Sequence, residues 1–290
     1  MIKLQPDELP AMADYIYSLC AVSLDRTKGY LIESRLSHLV ETLGCRSFRD
    51  LMARAKAETD GAIKRQIIGG ITTNETLFFR DTAPFDLLRF KLIPQMVDRR
   101  KDSGGNAPIR IWSAACSTGQ EIYSVAMVLK EVLGDPYRYG VRLLGTDVSD
   151  EAVAKASKGI FTPVEISRGL PDTLRSKYFR QVSGGWQISD ELRALVSFKK
   201  RNLMADFGEL GRFDVIFCRN VAIYFNERDK TALFERLGRA LERNGVLLVG
   251  AMESLTGICP QLESKRHERA VYYQVKSPAS ALQNVRGFGN

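Results

Sequence analysis

The chain has 290 residues, 44% of them hydrophobic and 26% charged. That balance is typical of a soluble globular protein and excludes a disordered chain, a coiled-coil rod and a collagen-like polymer. Lys and Arg outnumber Asp and Glu by 42 to 34, and the whole +8 excess lies beyond residue 75. A basic body suits an anionic partner, or serves solubility alone.

No apolar run approaches the roughly 20 residues of a spanning helix. The opening MIKLQPDELP carries no apolar signal core, so a cytoplasmic protein is expected. Cys20, Cys45, Cys116, Cys218 and Cys259 are odd in number and widely spaced, as free buried thiols would be. With only His38 and His267 present, a His-ligated metal centre is not expected.

In chain order, residues 1–70 form an N-terminal helical domain. Segments 11–20, 28–43 and 47–56 carry apolar residues near i, i+3, i+4, and Gly69-Gly70 ends the pattern. Residues 71–107 read as a linker and the start of a second domain, 108–276. There, β-rich runs at 109–113, 142–146, 196–199, 213–218, 245–250 and 270–276 alternate with helical stretches at 121–132, 150–157 and 228–243. That alternation predicts an α/β fold with a mainly parallel sheet covered by helices on both faces. Residues 160–195 interrupt it with a helix and a hairpin turning at Ser183-Gly184-Gly185. Residues 277–290 read as a flexible tail.

Ligands of open parallel sheets bind beyond the carboxyl ends of the strands. After the first strand comes Ala114-Ala115-Cys116-Ser117-Thr118-Gly119-Gln120-Glu121. Its small side chains allow close approach of a ligand. The single glycine is not a pyrophosphate-binding loop. Glu121 is either a ligand contact or the N3 residue of a capping box with Thr118. Asp147, after the second strand, is either a ribose partner or a helix cap. Asn202-Leu203 could satisfy the edge and face of a ring. Arg219-Asn220 and Tyr224-Phe225 follow the fourth strand. Thr72-x-x-Glu75 fits a second capping box within the polar segment 72–81. A ribose acid, an adenine contact and no phosphate loop favour S-adenosylmethionine over a nicotinamide dinucleotide.

Four segments, TTNETLFFRD (72–81), IWSAACSTGQEIYS (111–124), GTDVS (145–149) and FDVIFCRNVAIYF (213–225), resemble the CheR-type chemotaxis receptor glutamate O-methyltransferases. The resemblance implies a class I S-adenosylmethionine-dependent methyltransferase (Rossmann-like) sheet with a small antiparallel β-subdomain and an N-terminal all-α domain. It implies cofactor contacts at Asn74, Thr76, Arg80, Glu121, Asp147, Asn202, Leu203, Arg219 and Asn220. Glu121 would meet the methionine amino group and Asp147 the ribose. Arg80 and Tyr224 would orient the substrate carboxylate. The implied partners are the cytoplasmic helices of methyl-accepting chemotaxis receptors, and for some members a receptor's C-terminal tether peptide. Neither nucleic acid binding nor membrane insertion is implied. Basic residues at 43–65 are either a receptor-facing surface or an ordinary solvated face. The chain departs from the family's usual residues at Ile122, Ala222 and Met252, read here as changes in the pocket wall. Competing readings are a nucleic-acid methyltransferase, a nicotinamide-dependent dehydrogenase, and a sensor or scaffold that binds S-adenosylmethionine or S-adenosylhomocysteine with little turnover.

Overall fold

The computed structural model describes residues 2–102, 104, 105 and 107–276. The chain starts with four helices: α1 (Leu9–Cys20), α2 (Gly29–Thr42), α3 (Phe48–Ala57) and α4 (Ala62–Ile71). Their apolar stripes meet in one core built from Ile16, Ile32, Leu36, Phe48, Leu51 and Ile67. Ser47 caps α3 by accepting from the Asp50 N–H. Gly69 and Gly70 do not end the helical pattern as expected; α4 runs through both. A Cβ on Gly70 would lie 2.8 Å from Leu36, so this glycine serves the close approach of α4 to α2.

Residues 82–102, inside the stretch read as a linker and the start of the second domain, are helical. They fold as α5 (Thr82–Leu87), a π turn over Leu88–Leu92, and α6 (Ile93–Asp102). Pro94 has no N–H to return to the Phe90 carbonyl, and the turn before it widens. Phe85, Leu88, Leu92 and Ile93 are buried against the sheet.

The second domain continues with β1 (Arg110–Ala114), α7 (Gln120–Leu133), β2 (Arg142–Asp147), α8 (Asp150–Lys158), β3 (Ile160–Phe161), α9 (Pro163–Ser167) and α10 (Asp172–Tyr178). Then come β4 (Phe179–Val182), β5 (Gly185–Ile188), α11 (Asp190–Ala194), β6 (Val196–Lys200), β7 (Phe213–Phe217), α12 (Glu227–Arg239), β8 (Leu241–Leu248), β9 (Leu262–His267) and β10 (Ala270–Val275). The main sheet has seven strands in the order β6-β2-β1-β7-β8-β10-β9. It is parallel from β6 to β8, and β10 is antiparallel to both β8 and β9. The mostly parallel sheet and the small antiparallel one, β3-β5-β4, agree with the predicted architecture.

Side chains alternate across the main sheet, as a period of two requires. Ile111, Val215, Phe217, Val246 and Leu248 face the core that contains α5–α7. Trp112, Ile216, Leu247 and Val249 face the core that contains α12, and an irregularity in the register between Phe213 and Val215 turns Phe213 to the same side. Trp112 is fully buried, and its indole N–H donates to Thr146 Oγ1 at 2.9 Å. The predicted helix at 228–243 stops at Arg239, and residues 241–244 open β8. β9 was not anticipated. Its sequence LESKRH has one fully buried residue and lies on the sheet edge, where charge blocks further pairing and hides the alternation. Ile122 and Ala222 sit in the two cores and Met252 is exposed, so none of the three departures is in the cavity wall described below.

Candidate functional site

The sheet order places β1 between β2 and β7, so the chain reverses its direction of growth at β1 and opens a crevice there. A cavity of about 930 Å³, part of it open to solvent, occupies the carboxyl ends of these strands. All ten residues singled out above line it: Asn74, Thr76, Arg80, Glu121, Asp147, Asn202, Leu203, Arg219, Asn220 and Tyr224.

Both capping-box readings fail. Thr72 closes α4 and bonds back to the Ile68 carbonyl. Gly119 is the N-cap of α7, with no side-chain cap, and Thr118 bonds to Gln120. Glu121 is free of the helix terminus: one oxygen accepts from Ser113 Oγ at 2.7 Å, the other from Arg219 at 2.9 Å. Asp147 is no cap either, because Ser149 caps α8. Its two oxygens accept from the Ser149 and Ser117 N–H groups at 3.0 and 2.8 Å. Burial holds its pKa above the ordinary aspartate value, and these N–H donors oppose the rise.

Arg219 has a side chain only 1% exposed. Its guanidinium donates to Glu121, to Asp81 at 2.7 Å and to the Arg80 carbonyl at 2.8 Å. Arg219 therefore fixes both Glu121 and the bend that carries Arg80. Arg80 donates to the Glu75 carbonyl at 3.1 Å. Asn202 uses Oδ1 on the Met204 N–H and Nδ2 on the Leu19 carbonyl, leaving one amide hydrogen and one lone pair for a ligand. Asn220 accepts a left-handed backbone, and its N–H is held by Glu253 Oε2 at 2.7 Å.

Phe79, Asp81, Ala115, Ser117 and Asn220 all have positive φ and all lie on segments around this cavity. Each costs about 1–3 kcal/mol, and such outliers gather where backbone must be aimed at a ligand. The 72–81 segment is held from three sides. Arg35 of α2 donates to the Ile71 carbonyl and Thr73 Oγ1, Ser117 Oγ to the Asn74 carbonyl, and Arg168 pairs with Glu75. Gly169 packs against the same segment at φ +85°; a Cβ there would lie 2.0 Å from the Phe78 carbonyl oxygen. Gly169→Ala is therefore expected to displace this segment and lower Tm by about 4–8 °C, read by a thermal melt.

Sequence reasoning missed the wall supplied by the helical domain, Cys20 and Val22, which no motif marks. The Ser23 N–H donates to the Tyr224 carbonyl at 2.9 Å, so the connector after α1 also places Tyr224. Asp81 and Glu253 were missed as supports, although Asp81 ends the 72–81 motif. Burial pushes the Cys20 thiol up to about 11 and the Cys116 thiol upward too, so both stay protonated at neutral pH. All five cysteines are buried and unpaired. Among the described residues, no group of three or more His, Cys, Asp or Glu is disposed to hold a metal ion, and no helix is long and apolar enough to cross a membrane.

Comparison with known proteins decides the family. Residues 74–271 match the model described as "CheR methyltransferase, SAM binding domain", and residues 7–66 match "CheR methyltransferase, all-alpha domain". The chain belongs to the CheR methyltransferase family. It is 35% identical over 267 residues to the chemotaxis protein methyltransferase Cher2 of Pseudomonas putida, covering 90% of this chain and 95% of that one. It is 36% identical over 280 residues to chemotaxis protein methyltransferase 1 of Vibrio cholerae, covering 95% and 99%. The chemotaxis protein methyltransferase of Borreliella burgdorferi is 36% identical over 259 residues, covering 88% and 91%. In this CheR-family chain the two matched segments share the cavity: Cys20 and Val22 come from the first, and Asn74 through Tyr224 from the second.

Proposed function

We propose that this protein transfers the methyl group of S-adenosylmethionine to glutamate side chains on the cytoplasmic helices of chemotaxis receptors, forming methyl esters that serve sensory adaptation. The observation that carries this reading is the convergence of Glu121, Asp147, Asn202, Arg80 and Tyr224 on one cavity at the sheet's reversal point. The donor set fits the proposed cofactor. The buried Asp147 carboxylate retains lone pairs for ribose hydroxyls, Glu121 offers an acceptor for an ammonium group, and Asn202 and Leu203 offer an edge and a face to adenine. The backbone of 114–119 comes close through small residues, with no phosphate cradle.

When bound, S-adenosylmethionine supplies a methyl group on a positively charged sulfur. A glutamate with an ordinary pKa of about 4.3 is ionised at neutral pH, so its oxygen needs no base. Neither His38 nor His267 lines the cavity. The protein's task is to orient an oxygen and exclude water. Arg80 and Tyr224 hold the carboxylate at the mouth by directed hydrogen bonds. An over-tight grip would stabilise the ground state instead, and Arg80 is partly engaged by the Glu75 carbonyl. Tyr224→Phe is expected to lower kcat about tenfold, as loss of one oriented hydrogen bond would.

The decisive experiment incubates the purified chain with methyl-labelled S-adenosylmethionine and a receptor cytoplasmic fragment. Label released by mild alkali, and absent when the accepting glutamates are changed to alanine, supports the reading. Alkali-stable label, or none, sinks it. In the basic stretch at 43–65, four of the six cationic side chains have partners within the helical domain. Arg49 pairs with Asp7, Arg54 with Asp50, Lys56 lies over Tyr15, and Arg65 bonds to the Asp60 carbonyl.

A further inference from the structure

Two turns lie next to cavity-lining residues, one beside Tyr224 and one against Asn220, and each presents a large apolar side chain to water. Ile223, next to Tyr224, is 52% exposed, and Met252, on the turn after β8, is 95% exposed. A scattered exposed apolar residue needs no explanation, but these two are mechanically joined. Glu253 Oε2 accepts from the Gly250 N–H and from the Asn220 N–H, both at 2.7 Å. One carboxylate thus ties the Met252 turn to the segment 220–224. A Cβ on Gly250 would lie 2.6 Å from Asn220 Nδ2 and 2.7 Å from Glu253 Oε2, so a side chain there would push on the contacts that join the two turns. Met252 is held out by this fixed turn.

We infer that Ile223 and Met252 form an apolar rim that selects the polypeptide around the accepting glutamate. This rests on the proposed transfer to glutamate. The partner is a segment whose carboxylate enters beside Tyr224 while an apolar side chain one helical turn away, three or four positions along, covers Ile223 and Met252. The rim carries no charge of its own, because the Glu253 carboxylate is turned inward. An acidic neighbour gains nothing there; an apolar one removes both side chains from water. Methionine suits such a contact because it adapts to several partner shapes.

The test compares the wild-type chain with Met252→Ser and with Met252→Ser/Ile223→Ser, using a receptor cytoplasmic fragment. The single change should raise the KM for the fragment about threefold and the double change about tenfold, with the calorimetric Kd for S-adenosylmethionine within twofold. Changing the fragment's apolar residue one turn from the accepting glutamate to serine should raise KM for the wild type and add little in the double variant. An unchanged KM in the double variant, or a parallel loss of S-adenosylmethionine affinity, overturns the rim. A wild-type chain that binds S-adenosylmethionine but never methylates the fragment overturns the transfer reading, and the rim with it.

Discussion

Arg219→Met is expected to lower Tm by about 6–12 °C, because removing one member of a buried charge network costs about 3 kcal/mol. The side chain is 1% exposed and its guanidinium bridges Glu121 and Asp81. Without it, Glu121, with a side chain 12% exposed, faces an apolar thioether instead of a cation. Asp81 is 44% exposed and solvent softens its share of the cost. The Arg80 carbonyl also loses its donor, and the strained bend at Phe79 and Asp81 loses the bond that holds it. A second change separates the two roles of the network. Arg219→Met with Glu121→Gln removes the stranded charge, so much of the Tm returns, while S-adenosylmethionine binding stays lost because the acceptor for its ammonium group is gone. Differential scanning calorimetry and titration calorimetry on the single and double variants read the two outcomes. Recovery of both together would show that Glu121 is structural only.

Asp147→Ala should cost about a hundredfold in S-adenosylmethionine affinity, the worth of two hydrogen bonds to a charged acceptor. Asp147→Asn should do nearly as badly. Both carboxylate oxygens already accept backbone N–H groups, from Ser117 and Ser149, so an amide must aim its NH2 at one of those donors. The pH dependence has a definite sign. Burial raises the Asp147 pKa in the free protein, so protonation competes with cofactor at a higher pH than for an ordinary aspartate. Affinity should be flat above that pKa and fall as pH drops through it. The stability of the free protein moves the other way. A carboxyl that holds its proton more tightly when folded than when unfolded adds stability as pH falls through its folded pKa. Mild acidification therefore weakens the complex while this group steadies the free chain. Titration calorimetry across that range, repeated on Asp147→Asn, should show the slope vanish with the carboxylate.

Part of the candidate site was legible because two strand ends carry polar residues directly after apolar runs. Asp147, Arg219 and Asn220 are in that position, and the structure brings them to one cavity. What stayed hidden has physical causes. α4 was not placed as a helix because glycine usually signals a stop, whereas Gly70 is a packing contact with Leu36. The helices at 82–102 were missed because Pro84 and Pro94 break the apolar period where a first turn and a π turn accommodate them. β9 is an edge strand and shows almost no alternation. The contribution of Cys20, Val22 and Ser23 to the cavity depends on how two helical and α/β cores dock, which no local pattern encodes. Asp81 and Glu253 act through other residues, so nothing in their own spacing announced them.

The position of β1 has a consequence for biosynthesis. Its neighbour β2 emerges soon after it, but its other neighbour β7 is far later in the chain, and Ile111 must wait to pair with Val215. The buried residues of the helical core all lie before residue 72, with only Val148 and Tyr224 packing on it from later in the chain, so this core can begin to collapse while the rest is still being translated. The crevice cannot. Its floor is a pairing between strands separated by more than a third of the chain, and such distant contacts carry a high loop-closure cost. The sheet then waits for β10, which slots between β8 and β9 although it is made last. A ribosome thus releases the helical residues before the strands that complete the cavity, and the wall that Val22 offers is made before most of the residues it faces.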